Sequence, residues 1–160
     1  MTPSMQTNVR DAFERPTAYQ TTLQVGFNVL LISANFESRR TISKILEGLS
    51  IQVISCSSLS QARQVLSRQR ANLIFCDERL PDGGYADLLD LDCEGRVSSP
   101  VVVLTRTGEW ELYMDATRRG AFDVIRSPWC PTDIELSIIR AAREEKQNLA
   151  KTMADGRGAV

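Results

Sequence analysis

Histidine is absent from all 160 residues. Its absence removes any Ser-His-Asp triad, Cys-His pair, histidine-ligated zinc or phosphohistidine carrier, since each needs an imidazole nitrogen. Cysteine is scarce. Cys56, Cys76, Cys93 and Cys130 are the four, and no two stand in Cys-x-x-Cys spacing, so neither a zinc nor a redox signature is present and structural thiols are expected. An excess of one charge is also missing. Nineteen basic residues against twenty acidic ones leave a net charge of −1, which gives no global attraction to nucleic acid. Arg118-Arg119 and Arg140 to Arg143 read as solvated faces. No apolar run approaches the length of a membrane span, and the first two dozen residues are polar with no signal-peptide core. These features lead us to expect a cytoplasmic protein that neither inserts in a membrane nor binds nucleic acid.

What the chain does have is regular alternation. After a polar tail at 1–26, Val29-Leu30-Leu31-Ile32 is an apolar run bounded by Ser33, Ala34 and Asn35, which predicts a buried strand. Ile42, Ile45, Leu46 and Leu49 then recur at the i, i+3, i+4, i+7 spacing of an amphipathic helix. Ile51 to Cys56 reads as an outer strand. Ser57-Ser58 supplies N-cap candidates for a helix carrying Leu59, Ala62, Val65 and Leu66. Leu73 to Cys76 is a third strand, and Leu88, Leu89 and Leu91 mark a short third helix.

Pro100 opens a fourth strand, Val101-Val102-Val103-Leu104, closed by Thr105. The next helix places Trp110, Tyr113, Met114 and Thr117 on one side and stops at Gly120 as at a C′ glycine. We expect the three large residues to pack inward; left incompletely buried, Trp110 or Trp129 would instead mark a protein-binding patch. Phe122 to Ile125 is a weaker fifth strand. Pro131 opens a last helix with Ile134, Ile138 and Ala141 facing inward. Five strand–helix pairs without hairpin signals predict an α/β domain over 27–146, a five-stranded parallel sheet with helices on both faces. Residues 147–160 are expected to form a helical extension and flexible tail.

One stretch stands apart. In Leu73-Ile74-Phe75-Cys76-Asp77-Glu78-Arg79-Leu80-Pro81-Asp82-Gly83-Gly84 an apolar strand ends in an aspartate and a Pro-Asp-Gly turn follows. That puts the Asp77 carboxylate at the C-terminal edge of the sheet, where open α/β folds keep their ligand sites.

These motifs together resemble the receiver domain of two-component response regulators, over roughly Val29 to Arg143. Asp77-Glu78-Arg79-Leu80-Pro81 looks like the phosphoacceptor motif. Pro100 to Thr105 looks like the strand ending in the switch hydroxyl, and Ser127-Pro128-Trp129 stands where the family has Lys-Pro-aromatic. The resemblance implies a flavodoxin-like receiver fold with Asp77 at the phosphoacceptor position and Thr105 at the switch position.

The departures from the pattern are chemical. Ser33 and Ala34 replace the two adjacent acids that bind Mg²⁺ in the family, so metal binding is expected to be weak or absent. Ser127 replaces the lysine. Val124 stands where the family carries a switch aromatic. Arg106 follows Thr105, and two readings of it stand: compensation of the lost charge by pairing with Asp77, or a guanidinium in solvent. The expectation is a stand-alone, atypical receiver without catalytic residues, metal or cofactor. It would meet a histidine kinase, another signalling protein, an output protein or a second copy of itself, independently of phosphorylation. Two alternatives remain: a working phosphoreceiver with an unusual metal shell drawn from Glu37 or Asn35, and a small flavodoxin-like nucleotide binder, for which no Gly-rich loop follows the first strand.

Overall fold

The computed structural model describes residues 26–93 and 99–155. The expected tail at 1–26 (save Gly26), the chain end after Asp155 and the Cys93 thiol lie outside the described residues. Five parallel strands form the sheet: β1 (Asn28–Ile32), β2 (Gln52–Cys56), β3 (Leu73–Asp77), β4 (Val101–Thr105) and β5 (Asp123–Arg126), in the order β2-β1-β3-β4-β5. Between and after them run α1 (Phe36–Gly48), α2 (Leu59–Arg68), α3 (Tyr85–Cys93), α4 (Trp110–Arg118) and α5 (Pro131–Asp155).

The period of two along each strand divides the core between the sheet's two faces. Leu30, Ile32, Ile74, Cys76, Val101 and Val103 point to the side covered by α2, α3 and α4. Val29, Leu31, Leu73, Phe75, Val102 and Leu104 point to the side covered by α1 and α5. The three central strands are therefore apolar on both faces until their polar ends at Asn28, Asp77 and Thr105, and burial of each large aliphatic side chain stabilises the fold by roughly 1.5–3 kcal/mol. Ile42 and Leu46 of α1, and Ile134, Ile138 and Ala141 of α5, are buried as their spacing predicts.

Local signals set the helix ends. Asn35 caps α1 by accepting from the Ser38 N–H at 2.8 Å, and Ser58 caps α2 by accepting from the Gln61 N–H at 3.2 Å. Gly120 follows α4 with φ of 95°, a left-handed turn that lets the next N–H, that of Ala121, reach back to the Ala116 carbonyl at 2.9 Å. Two features depart from expectation. The β3–α3 connection contains a short antiparallel ladder, Arg79–Leu80 against Gly83–Gly84, closed over Pro81 and Asp82. In addition, Trp110, Tyr113 and Met114 face outward, at 71%, 43% and 41% exposure, while Ala116 is buried and Leu112 packs against the core. Helical spacing identifies one face of α4 but not which face meets the sheet, and here the Leu112–Ala116 face does.

Cys56 and Cys76 are buried in the core and Cys130 is exposed. Burial, with the neighbouring Asp77 charge, pushes the Cys76 thiol far above the ordinary cysteine range, so no reactive thiolate forms there.

Candidate functional site

Parallel pairing brings the strand ends to one edge. Asp77 closes β3 opposite Leu104, Thr105 closes β4 opposite Arg126, and Ser127 follows β5 with its N–H on the Thr105 carbonyl at 2.8 Å. Ser33 follows β1, fully buried, with its N–H on the Cys56 carbonyl. Ala34, Asn35, Asp77, Glu78, Arg79, Leu104 and Arg106 line an open cleft of about 340 Å³ at this edge. The Ser127 position instead borders a separate groove between β5 and α5. The structure thus sets Ala34, Asp77 and Arg106 around one cleft, with Ser33 buried against Asp77, and leaves Ser127 on a separate groove.

The hydroxyl at position 33 is part of the site. Ser33 Oγ donates to Asp77 Oδ2 at 2.6 Å, a charge-assisted bond between residues 44 apart in the chain. The serine is itself held: the Asn35 N–H donates to its Oγ, and Arg39 donates to its carbonyl. Burial pushes the Asp77 carboxyl above the ordinary aspartate value; the Ser33 hydroxyl, the Arg106 charge and the Ala34 N–H pull it part of the way back down, and neighbouring Glu78 adds a smaller upward push.

This donor set does not fit Mg²⁺. A hard octahedral cation needs several oxygen ligands, with one or two carboxylates among them. Here one Asp77 oxygen is occupied by a hydroxyl proton, and a methyl group stands at position 34. The candidate substitutes are also committed elsewhere: the Asn35 side chain caps α1, and Glu37 is an exposed residue in its first turn. Among the described residues no group of three or more His, Cys, Asp or Glu side chains is placed to hold a metal.

Arg106 follows neither of its two readings fully. Among the described residues no ion pair joins it to Asp77; its guanidinium donates instead to Ser38 Oγ at 3.2 Å, an oxygen that also accepts from Trp129 Nε1 at 3.3 Å. Ser38 is buried in α1. It therefore gathers the β4–α4 and β5–α5 connections onto α1, and Arg106 acts on Asp77 through space only.

Three residues escaped the sequence reading. Glu78 accepts the Thr105 hydroxyl at 2.6 Å. Asp82, read only as a turn residue, accepts from the Leu59 and Ser60 N–H groups at 2.8 Å each, which caps α2 from a distance and holds its carboxyl below the usual range. Tyr85 donates to Asp115 Oδ2 at 2.6 Å and so ties α3 to α4. An acidic residue beside the strand-end aspartate was the one visible signal for Glu78. Pairings across 23 and 30 residues leave no periodic trace for Asp82 or Tyr85.

A doubly covered parallel sheet with an aspartate at its C-terminal edge defines a flavodoxin-like α/β receiver class. The model of the response regulator receiver domain matches residues 29–139, and the chain belongs to that family. It is 27% identical over 99 residues to the response regulator protein PilR of Pseudomonas aeruginosa, covering 62% of this chain and 22% of PilR. It is 31% identical over 124 residues to the alginate biosynthesis transcriptional regulatory protein AlgB of the same organism, covering 76% of this chain and 27% of AlgB. The chain thus spans about a quarter of the length of these curated relatives. Among solved structures it resembles NtrX from Brucella abortus, with 25% identity and a TM-score of 0.68 over 80% of this chain and 29% of that one. A receiver domain protein from Clostridium thermocellum shares the fold at 21% identity, with a TM-score of 0.69 over 75% and 97%. Among the described residues no helix is long and apolar enough to cross a membrane.

Proposed function

We propose that this receiver domain works as a phosphorylation-independent protein-interaction module in two-component signalling, in the cytoplasm and without catalytic activity of its own. The observation behind this reading is the Ser33 hydroxyl on Asp77 Oδ2 at 2.6 Å, in the place where the family keeps a metal-binding acid. Phosphoryl transfer depends on positioning and on neutralising charge over the equatorial oxygens. With a serine, an alanine and a serine at positions 33, 34 and 127, the nucleophile is kept and the electrophilic clamp is lost. The partner surface is the outer face of α4, where exposed Trp110 and Tyr113 stack with centroids 5.6 Å apart beside Met114. Aromatic side chains and methionine are enriched at interfaces, and an exposed stacked pair is a ready anchor for a protein partner.

The competing reading, a working phosphoreceiver, draws on the openness of the cleft over Asp77. Incubation with acetyl phosphate and Mg²⁺, followed by intact-mass measurement, separates the two. The interaction module gains no phosphoryl mass, whereas stoichiometric addition that disappears in Asp77→Asn would establish the phosphoreceiver.

A further inference from the structure

We propose that the Glu78 carboxylate, half-buried at the rim of the cleft, is an anchor that sets the β4–α4 loop and, through it, the pose in which α4 presents Trp110 and Tyr113. A threonine hydroxyl has one proton and two acceptor lone pairs. In Thr105, which is 1% exposed, the proton goes to Glu78 Oε2 at 2.6 Å. The lone pairs are then free for the Thr107 N–H at 3.3 Å and the Gly108 N–H at 3.4 Å, the two amides that turn the chain toward α4. Without the carboxylate, the hydroxyl proton is left to the longer contact with Thr107 Oγ1 at 3.3 Å, which lies within the loop itself and so cannot tie the loop to β3.

Both sides of this clasp rest on constrained backbone. The Glu78 N–H donates to the Leu104 carbonyl at 3.0 Å, and the ladder that follows packs Gly84 so closely that a Cβ there would come within 2.5 Å of the Glu78 carbonyl oxygen. On the loop side Gly108 adopts φ of 63°, and the Arg126 stem fills the space a side chain would need. The helix itself starts without local help, because Glu109 at its N-cap makes no side-chain capping bond. Trp110 is its first residue. Beyond the packing of Ala116 and Leu112 on the core, the pose of the aromatic pair is tied by Glu78 at one end of α4 and by the Tyr85–Asp115 bond farther along the helix, and neither bond is made by Asp77.

Amide exchange measured by NMR on the full chain tests the clasp. Glu78→Ala and Thr105→Val should each speed exchange at the Thr107 and Gly108 amides by roughly tenfold or more, as loss of a local hydrogen-bond network does. The double variant should go no further than either single one. Glu78→Gln, whose side-chain carbonyl still accepts the hydroxyl, should stay within a few-fold of the parent, and Asp77→Asn should leave both amides unchanged. Parent-level protection in a folded Glu78→Ala, additive losses in the double variant, or an Asp77→Asn effect equal to that of Glu78→Ala would each overturn the proposal.

The consequence for partner binding, a loss of affinity in Glu78→Ala, rests on the functional reading above; the exchange result does not. Phosphodonor-dependent partner binding together with the predicted exchange pattern would sink that reading and leave the clasp standing. Phosphodonor-independent binding with unaltered exchange would sink the clasp alone.

Discussion

A serine in place of an acid changes the energetics of Asp77. With a second carboxylate beside it, Asp77 would meet repulsion that a cation would relieve; with Ser33 it receives a proton donor instead. Burial still penalises its charge, so its folded carboxyl titrates above the ordinary aspartate value of about 4. A raised carboxyl favours the fold fully below the unfolded value, and that contribution is lost as pH rises through the folded one. Asp77→Asn keeps an oxygen for the Ser33 hydroxyl and carries no charge to bury. It should raise stability at pH 7 by up to about 1 kcal/mol, the usual scale of a single substitution, and the gain should vanish below pH ~4; urea unfolding across that range checks it. The metal expectation is equally local. Ser33→Asp with Ala34→Asp should introduce Mg²⁺ binding detectable by calorimetric titration. Saturable, Asp77-dependent binding by the unmodified protein below about millimolar, the range of weak divalent-cation modules, would refute it.

At the scale of elements, α4 combines a small buried face with several polar ties. Of its own residues only Ala116 is fully buried, and Asp115 binds both the Tyr85 hydroxyl and Arg119, the latter also reaching Asp90. Burial and then the bond to Asp115 push the Tyr85 phenol up to about 12. Its contribution is complete below the ordinary tyrosine value of about 10 and is lost as pH climbs through the folded one. Tyr85→Phe should cost about 1–2 kcal/mol, the net value of such a hydrogen bond, and should loosen α4 before any strand; the 295 nm phenolate titration should show the raised group disappear with it. The same helix shows where the sequence could be read and where it could not. The strands and the α1, α2 and α5 faces were legible because burial repeats at a period of 2 or 3.6 residues. In α4 that logic pointed the wrong way, since Trp110, Tyr113 and Met114 are apolar yet turned to solvent, and the buried face rests on Ala116 and Leu112. The short ladder after β3 was hidden for another reason: two residues a side are too few to leave a pattern.

For the molecule as a whole, the candidate site was legible as a set of residue types and opaque as a set of bonds. Asp77, Thr105, Ser33 and Ser127 could be placed at one edge from strand order alone, because parallel crossovers deliver strand ends to the same side. That Ser33 would donate to Asp77, that Glu78 would take Thr105, and that Ser38 would gather Arg106 and Trp129 depends on rotamers joining elements 27 to 91 residues apart. Those bonds bear on switching. A ligand shifts a conformational equilibrium only by its differential affinity for the two states. Here the hydroxyl that would answer an event at Asp77 is already bound to Glu78, the β5 position facing Val103 is Val124 and not an aromatic rotor, and Arg106 is bound to Ser38. Little differential affinity remains, so one conformation should dominate. Beryllofluoride with Mg²⁺ should leave the amide resonances of α4 and β5 in place, and Asp77→Asn should change the affinity for a protein partner by less than ~1 kcal/mol, the scale of an exposed ion pair. Resonance shifts spreading across α4 and β5, or loss of partner binding in Asp77→Asn, would mean that Thr105 leaves Glu78 when Asp77 is modified, and that the domain switches after all.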